Sequence, residues 1–246
     1  MLTPLDIARM IDHSLLQPYL TDRDIIAGCE VALKHGVASV CARPTDIPIV
    51  AERLHGSCVA VSTVIGFPHG AHLTEVKEFE AIRAIEMGCS ELDMVINIGK
   101  LLSGDEEYVE ADIRAVTQVA HARGAIVKVI FENCYLSDGQ KKVACRLAER
   151  AGADFVKTST GYGTSGATTG DIRLMRAAVS ERVRVKGAGG LRTLDAVLAA
   201  RAAGAVRCGA TATEAIMTEA QARCEAGTLE EACTDAAPEA PCGNQY

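Results

Sequence analysis

Residues 154–190 read DFVKTSTGYGTSGATTGDIRLMRAAVSERVRVKGAGG. Two short β-branched runs, FVKTST (155–160) and VRVKGAG (183–189), are separated by a stretch of helical period. Each run carries one lysine, Lys157 or Lys186, just ahead of a glycine-bearing turn. Two strands joined through a helix pair in parallel, because only a long crossover returns the chain in the same direction. A lysine inside a buried strand is costly unless its charge is paired or suppressed. A lone strand lysine usually reaches solvent or a carboxylate. Here the pattern repeats on two strands of one sheet, so each ammonium disfavours the other, and a neutral, nucleophilic amine results. That is the starting material for a Schiff base.

The same alternation runs through the whole chain. MIDHSLL (10–16), ASVCARP (38–44), CVAVSTVIG (58–66), ELDMVINI (91–98), IVKVIFEN (126–133) and AVRCGAT (205–211) bring the strand candidates to eight, and each but the last is followed by a helical stretch. Near 107–123, Val109, Ile113, Val116 and Ala120 fall on one helical face. Ser137 with Gln140 and Thr211 with Glu214 read as capping boxes, and Gly36, Gly56, Gly88, Gly124, Gly152 and Gly204 as helix closers. Nearly continuous apolar strands imply that both sheet faces are covered. Eight such units in about 220 residues predict a single-domain (β/α)8 TIM barrel. A doubly wound open sheet would show G-x-G-x-x-G after its first strand, and the chain has none there. The barrel is expected over 1–227 and a flexible C-terminal tail over 228–246, where apolar period gives way to acids, Pro238, Pro241 and a terminal Tyr246.

Composition narrows the function classes. The chain has 246 residues, 48% hydrophobic, with a net charge of −7 and no basic stripe, which argues against a nucleic-acid groove. No apolar run approaches the roughly 20 residues of a membrane span, and no signal start is present. The ten cysteines are scattered singly, without C-x-x-C, and read as reduced, mostly buried small hydrophobes of a cytoplasmic protein. The six histidines lack metal-ligand spacing, so no metal is expected.

In this fold the active site lies at the carboxyl ends of the strands. Asp12, Cys41, Asp93, Lys128, Lys157 and Lys186 fall on strands one, two, four, five, six and seven. Lys128 is a third cation able to pair with Asp12 or Asp93, but one residue of register reverses its face. Gly187, Gly189 and Gly190 follow strand seven, and Gly209 with Thr211 follows strand eight, where this fold binds phosphate through bare amides and a helix N-terminus. Gly161, Gly163 and Gly166 offer one more amide wall.

DHSLL (12–16), TVIGFPHG (63–70), ELDMVINIG (91–99), KVIFE (128–132), GADFVKTSTG (152–161), KGAGGLRT (186–193) and RCGAT (207–211) together resemble the deoxyribose-phosphate aldolases, over nearly the whole chain. The resemblance implies a class I aldolase with no cofactor and a small sugar phosphate as its partner. Its reaction would be reversible cleavage of 2-deoxy-D-ribose 5-phosphate to acetaldehyde and D-glyceraldehyde 3-phosphate. It assigns Lys157 to the Schiff base, Lys186 to pKa control and proton transfer, and Asp93 to the proton relay. Asp12, Ser14, Cys41, Lys128, Thr158 and Thr160 are matched as supporting residues, and Gly161, Gly189, Gly190, Gly209 and Thr211 as the phosphate cradle. Some members carry a tail whose terminal tyrosine visits the site, which puts Tyr246 in view; a homodimer is left open. Three positions depart: Tyr162 replaces a lysine of some members, Thr211–Ala212 a serine pair, and Gly187 a proline or alanine. The alternatives are another lysine-dependent barrel lyase acting on a different sugar phosphate, and a non-catalytic sugar-phosphate binder that would need no lysine pair.

Overall fold

The strands β1 (Ile11–Leu15), β2 (Ser39–Ala42), β3 (Ala60–Ile65), β4 (Glu91–Val95), β5 (Ile126–Ile130), β6 (Phe155–Lys157), β7 (Arg184–Ala188) and β8 (Arg207–Ala210) are all parallel and lie in chain order around a closed barrel. The computed structural model describes residues 2–232. The barrel closes where Ile11 and Asp12 pair with Cys208 and Gly209. Helix α1 (Pro4–Ala8) precedes the first strand; α2 (Asp22–His35), α3 (Ile47–Leu54), α4 (Thr74–Glu86), α5 (Ile98–Leu102) and α6 (Glu106–His121) accompany the first half. The second half carries α7 (Asp138–Arg150), α8 (Thr169–Ala178), α9 (Leu194–Ala202) and α10 (Thr213–Glu225). This is the (β/α)8 barrel the eightfold alternation predicts.

Local signals set most of the element ends. Ser137 caps α7 and Gln140 returns the bond, satisfying two backbone donors that the first turn leaves without partners. Gly36 ends α2 in the left-handed region at φ 63°. The second expected capping box does not form. Helix α10 begins one residue later than Thr211 implies, with Ala212 at its cap and no side-chain bond. Glu214 is drawn instead to Lys34 and to His35 Nε2, at 2.8 Å, on the end of α2. An ion pair across two helices has displaced a local cap.

Side chains alternate along each strand. Val40, Leu92, Met94, Val127, Val129, Val156 and Val185 turn outward and are buried beneath the helices, where Val109, Ile113, Val116 and Ala120 of α6 are also buried. Burying each such side chain favours the fold by about 1.5–3 kcal/mol. The inward set is different in kind. Asp12, Ser39, Ser62, Asp93, Lys128 and Lys186 are all buried, so mid-height in the barrel is polar and charged rather than apolar.

Several strands stop up to three residues before the apolar runs end, because the chain leaves the ladder to form the loops at the carboxyl rim. Among the described residues no helix is long and apolar enough to cross a membrane. All eight described cysteines are unpaired; five are buried, in keeping with the expectation of mostly buried thiols, and Cys58 is exposed. Of the expected tail, residues 228–232 are placed. Leu229 is buried in the core and Glu231 accepts from Arg201, while 233–246, Tyr246 included, lie outside the described residues.

Candidate active site

Lys157 and Lys186 occupy matching positions on β6 and β7. Strand spacing brings residues at matched height together, and both amines reach one atom: each Nζ donates to Asp93 Oδ2 at 2.7 Å. Lys128, whose face the sequence left open, points inward. It donates to Asp93 Oδ1 at 2.7 Å and pairs with Glu91 at 2.7 Å, with Asp12 at 3.7 Å. Asp12 in turn accepts from Lys186, from Ser39 at 2.7 Å and from Arg207 Nε at 2.8 Å. Arg207 also grips Glu91.

The connected network therefore holds four basic groups (Lys128, Lys157, Lys186, Arg207) and three carboxylates (Asp12, Glu91, Asp93). A buried cluster is least costly when its charges balance. With Lys157 neutral, three positive charges face three negative ones. The directions of the proton affinities agree. Burial pushes the Lys157 amine below its ordinary 10.5; Asp93 opposes, and the Lys186 charge adds to the lowering. Burial would lower Lys186 as well, but Asp12 and Asp93 outweigh it and hold that ammonium above its usual value. Burial would raise Asp12 and Asp93, yet the lysines around them keep both carboxylates below the ordinary range. Lys157 is the one amine of the three whose proton affinity the site lowers.

Above this layer a cavity opens at the carboxyl rim. Asp12, Ser14, Cys41, Lys157, Lys186, Thr160, Gly161, Gly189, Gly190, Gly209 and Thr211 all line it, as the sequence led one to expect. Asp93, Lys128 and Thr158 do not line it. Asp93 lies below the amines, so it reaches the cavity through them. Thr158 bonds the amide and carbonyl of Ala188, at 3.1 and 3.2 Å, and fixes the turn after β7.

The glycines divide by role. Gly161 adopts φ 90° at the cavity wall, where a side chain would meet nothing within 4 Å. Gly189 adopts φ 83°, and a Cβ there would fall 2.8 Å from Gly166 Cα. Its bareness, with that of Gly166, lets the loops after β6 and β7 touch; Ala167 N–H donates to the carbonyls of Ala188 and Gly189. Gly163 and Gly166 lie outside the cavity lining, and Gly187 stands inside β7 with its missing side chain aimed at Ile172 and Leu191.

Sequence reasoning missed five contributors. Glu91 and Arg207 complete the charge network, Arg192 lines the cavity as an exposed cation, and Glu132 holds Thr160. Leu16 joins Cys41, Val64, Phe67 and Tyr162 in an apolar cluster apart from the main core. Arg192 was visible in KGAGGLRT and Arg207 in RCGAT, but nothing in those motifs told which way either side chain turns.

A barrel whose strand ends present paired inward lysines beneath a rim cavity has the layout of a lysine-dependent barrel enzyme. Comparison with known proteins narrows this. Residues 7–215 match the family described as DeoC/LacD family aldolase. Relatives named deoxyribose-phosphate aldolase include one from Rhodopirellula baltica, 50% identical over 88% of this chain and 90% of that protein. Another, from Thermococcus gammatolerans, is 54% identical over 83% of this chain and 92% of that protein. Among solved structures, one titled QR15, an aldolase, superposes with a TM-score of 0.86 at 32% identity, covering 92% of this chain and 99% of its own. The deoxyribose phosphate aldolase of Aeropyrum pernix, described as tetrameric, superposes at 0.83 with 31% identity, covering 88% and 92%. The chain belongs to the DeoC/LacD aldolase family.

Proposed function

We propose that this protein cleaves 2-deoxy-D-ribose 5-phosphate reversibly to acetaldehyde and D-glyceraldehyde 3-phosphate through a Schiff base on Lys157. The observation that carries the reading is the shared carboxylate. Lys157 and Lys186 sit side by side on Asp93 Oδ2, in a network that balances only when one amine is neutral. The neutral Lys157 Nζ attacks C1 of the open-chain sugar, and loss of water leaves a protonated imine. That cation draws electrons as a base removes the C3 hydroxyl proton, the C2–C3 bond breaks, and glyceraldehyde 3-phosphate leaves an enamine on the lysine. Protonation at C2 and hydrolysis release acetaldehyde.

Lys186 faces the cavity with Asp12 and Asp93 behind it, which supports a role for it in shuttling these protons. Ser14 and Thr160 line the cavity and would meet the sugar hydroxyls. The phosphate would rest at the rim formed by Gly161, Gly189, Gly190, Gly209 and Thr211, with Arg192 supplying a cation. Reaction with acetaldehyde and borohydride, followed by peptide mapping, tests the nucleophile. One ethyl group on Lys157 is expected; label on Lys186 or Lys128 overturns the assignment. Acetaldehyde release from deoxyribose 5-phosphate, measured against other sugar phosphates, tests the substrate.

A further inference from the structure

Six carboxylates are buried among the described residues: Asp12, Asp46, Glu91, Asp93, Asp112 and Glu132. Five have a cation beside them. Asp12 pairs with Lys186, Asp46 with Arg43, Glu91 with Lys128, Asp93 with Lys157 and Asp112 with Lys77. Glu132 has no such ion pair, although it is only 2% exposed. A buried carboxylate without a counter-ion is among the costlier things a fold can hold. The backbone there is costly too. Glu132, just past the end of β5, sits at φ 58° and is the one non-glycine residue with a positive φ among those described.

Its contacts run toward the cavity. Both carboxylate oxygens accept from the Thr160 N–H at 3.3 Å, and Oε2 also accepts from the Thr160 hydroxyl. Thr160 Oγ1 accepts in turn from the Tyr162 N–H at 2.9 Å. The Tyr162 hydroxyl donates to the Leu16 carbonyl at 2.7 Å, and its ring stands edge-on to Phe67 with centroids 5.4 Å apart. A line of hydrogen bonds thus crosses the barrel mouth from the end of β5 to the loop after β1. Thr160, Gly161, Tyr162 and Leu16 on this line all face the cavity. Gly163 makes room for the anchor, since a Cβ there would lie 2.8 Å from Glu132 Cδ.

We infer that Glu132 is a positioning residue for the substrate: its carboxylate fixes the strap of residues 160–162, the stretch of cavity wall that carries Gly161 beside the Gly189 loop. The inference rests on the sugar-phosphate reading above, and it adds the residue that sets this wall. Burial raises the proton affinity of Glu132, and the Thr160 bonds oppose that rise. An anchor of this sort holds the Gly161 amide and the Tyr162 ring in place before substrate arrives, so its loss should weaken binding of a long phosphorylated substrate and spare the two-carbon aldehyde.

The test compares Glu132→Ala and Glu132→Gln with the wild-type protein in three measurements. In Glu132→Ala the KM for deoxyribose 5-phosphate should rise at least tenfold with kcat within threefold. Glu132→Gln keeps an acceptor for Thr160 and should lie between, and it stands in if Glu132→Ala fails to fold. Borohydride trapping of acetaldehyde on Lys157 should keep its wild-type yield. Amide hydrogen exchange in a peptide covering 159–163 should quicken at least tenfold, with the other loops unchanged. An unchanged KM, a parallel loss of kcat and trapping, or unchanged exchange at 159–163 would each overturn the inference. If the wild-type protein itself leaves deoxyribose 5-phosphate uncleaved, the substrate reading falls, and the exchange measurement still decides whether Glu132 holds the strap.

Discussion

Lys157 and Lys186 are direct partners across β6 and β7, and both donate to Oδ2 of Asp93, yet only the Lys157 amine is held below its ordinary proton affinity. The difference lies in what else each one touches. Lys186 has Asp12 as a second carboxylate, whereas Lys157 has only the Asp93 oxygen that the two amines share. Replacing Lys186 with leucine removes a like charge and leaves Asp93 Oδ2 to Lys157 alone. Lys157 should then hold its proton to higher pH, and the acid limb of kcat/KM should move upward. A folded variant whose limb stays in place would show that burial alone sets the nucleophile.

Lys128 is the hinge of the charge balance. It lies 2.7 Å from both Asp93 and Glu91, wholly buried. Lys128→Met should lower the unfolding free energy by about 3–5 kcal/mol, because it removes the cation that lies between two buried carboxylates. Urea unfolding measures this; a loss under about 1 kcal/mol, the value of an exposed pair, would mean the site is wetter than its burial indicates.

Acid should unfold the barrel in a defined window. Asp12 and Asp93 are held below the ordinary 3.8 because, although burial pushes them up, the surrounding lysines outweigh it. The unfolded chain therefore takes up protons first as pH falls. The stability these two residues contribute is complete above 3.8 and drains away below it, toward their depressed folded values. Urea midpoints measured from pH 6 downward should drop steeply once 3.8 is passed. A flat profile across that point would contradict the network.

Arg192 and Gly189 separate binding from folding at the rim. Arg192 lines the cavity with its side chain exposed, so Arg192→Met should leave thermal stability nearly unchanged. It should raise the KM for deoxyribose 5-phosphate by about 10- to 100-fold, the worth of one charge-assisted contact. Unphosphorylated deoxyribose should show little change, and an equal loss on both sugars would remove Arg192 from the phosphate site.

Gly189→Ala should behave in the opposite way. Its new methyl would meet Gly166 Cα at 2.8 Å while the backbone stays in the left-handed region. Thermal unfolding should show a fall in stability, with losses on both substrates alike. A variant of full stability that lost only phosphate affinity would show that Gly189 acts as a bare amide alone.

The primary sequence was enough to place eight strands and to find the two lysines, Asp93 and the glycine rim, because these follow from local period and from turn chemistry. Ser137 with Gln140 formed its cap for the same reason: both partners lie within one helical turn. What depended on tertiary structure was every relation across the barrel. Asp12 and Lys186 stand 174 residues apart and meet only because β1 and β8 close the sheet. The inward face of Lys128 required the register of β4 against β5, where it pairs with Asp93. Thr211 and Glu214 kept the spacing of a cap and lost it to Lys34 and His35, since a helix packed alongside offered an ammonium and an imidazole. Glu132 and Thr160 carry no shared motif; a loop conformation at φ 58° turns one onto the other. Short-range hydrogen bonding and hydrophobic period determine which elements form, whereas side-chain pairing between them is settled by register, which a shift of one residue would reverse.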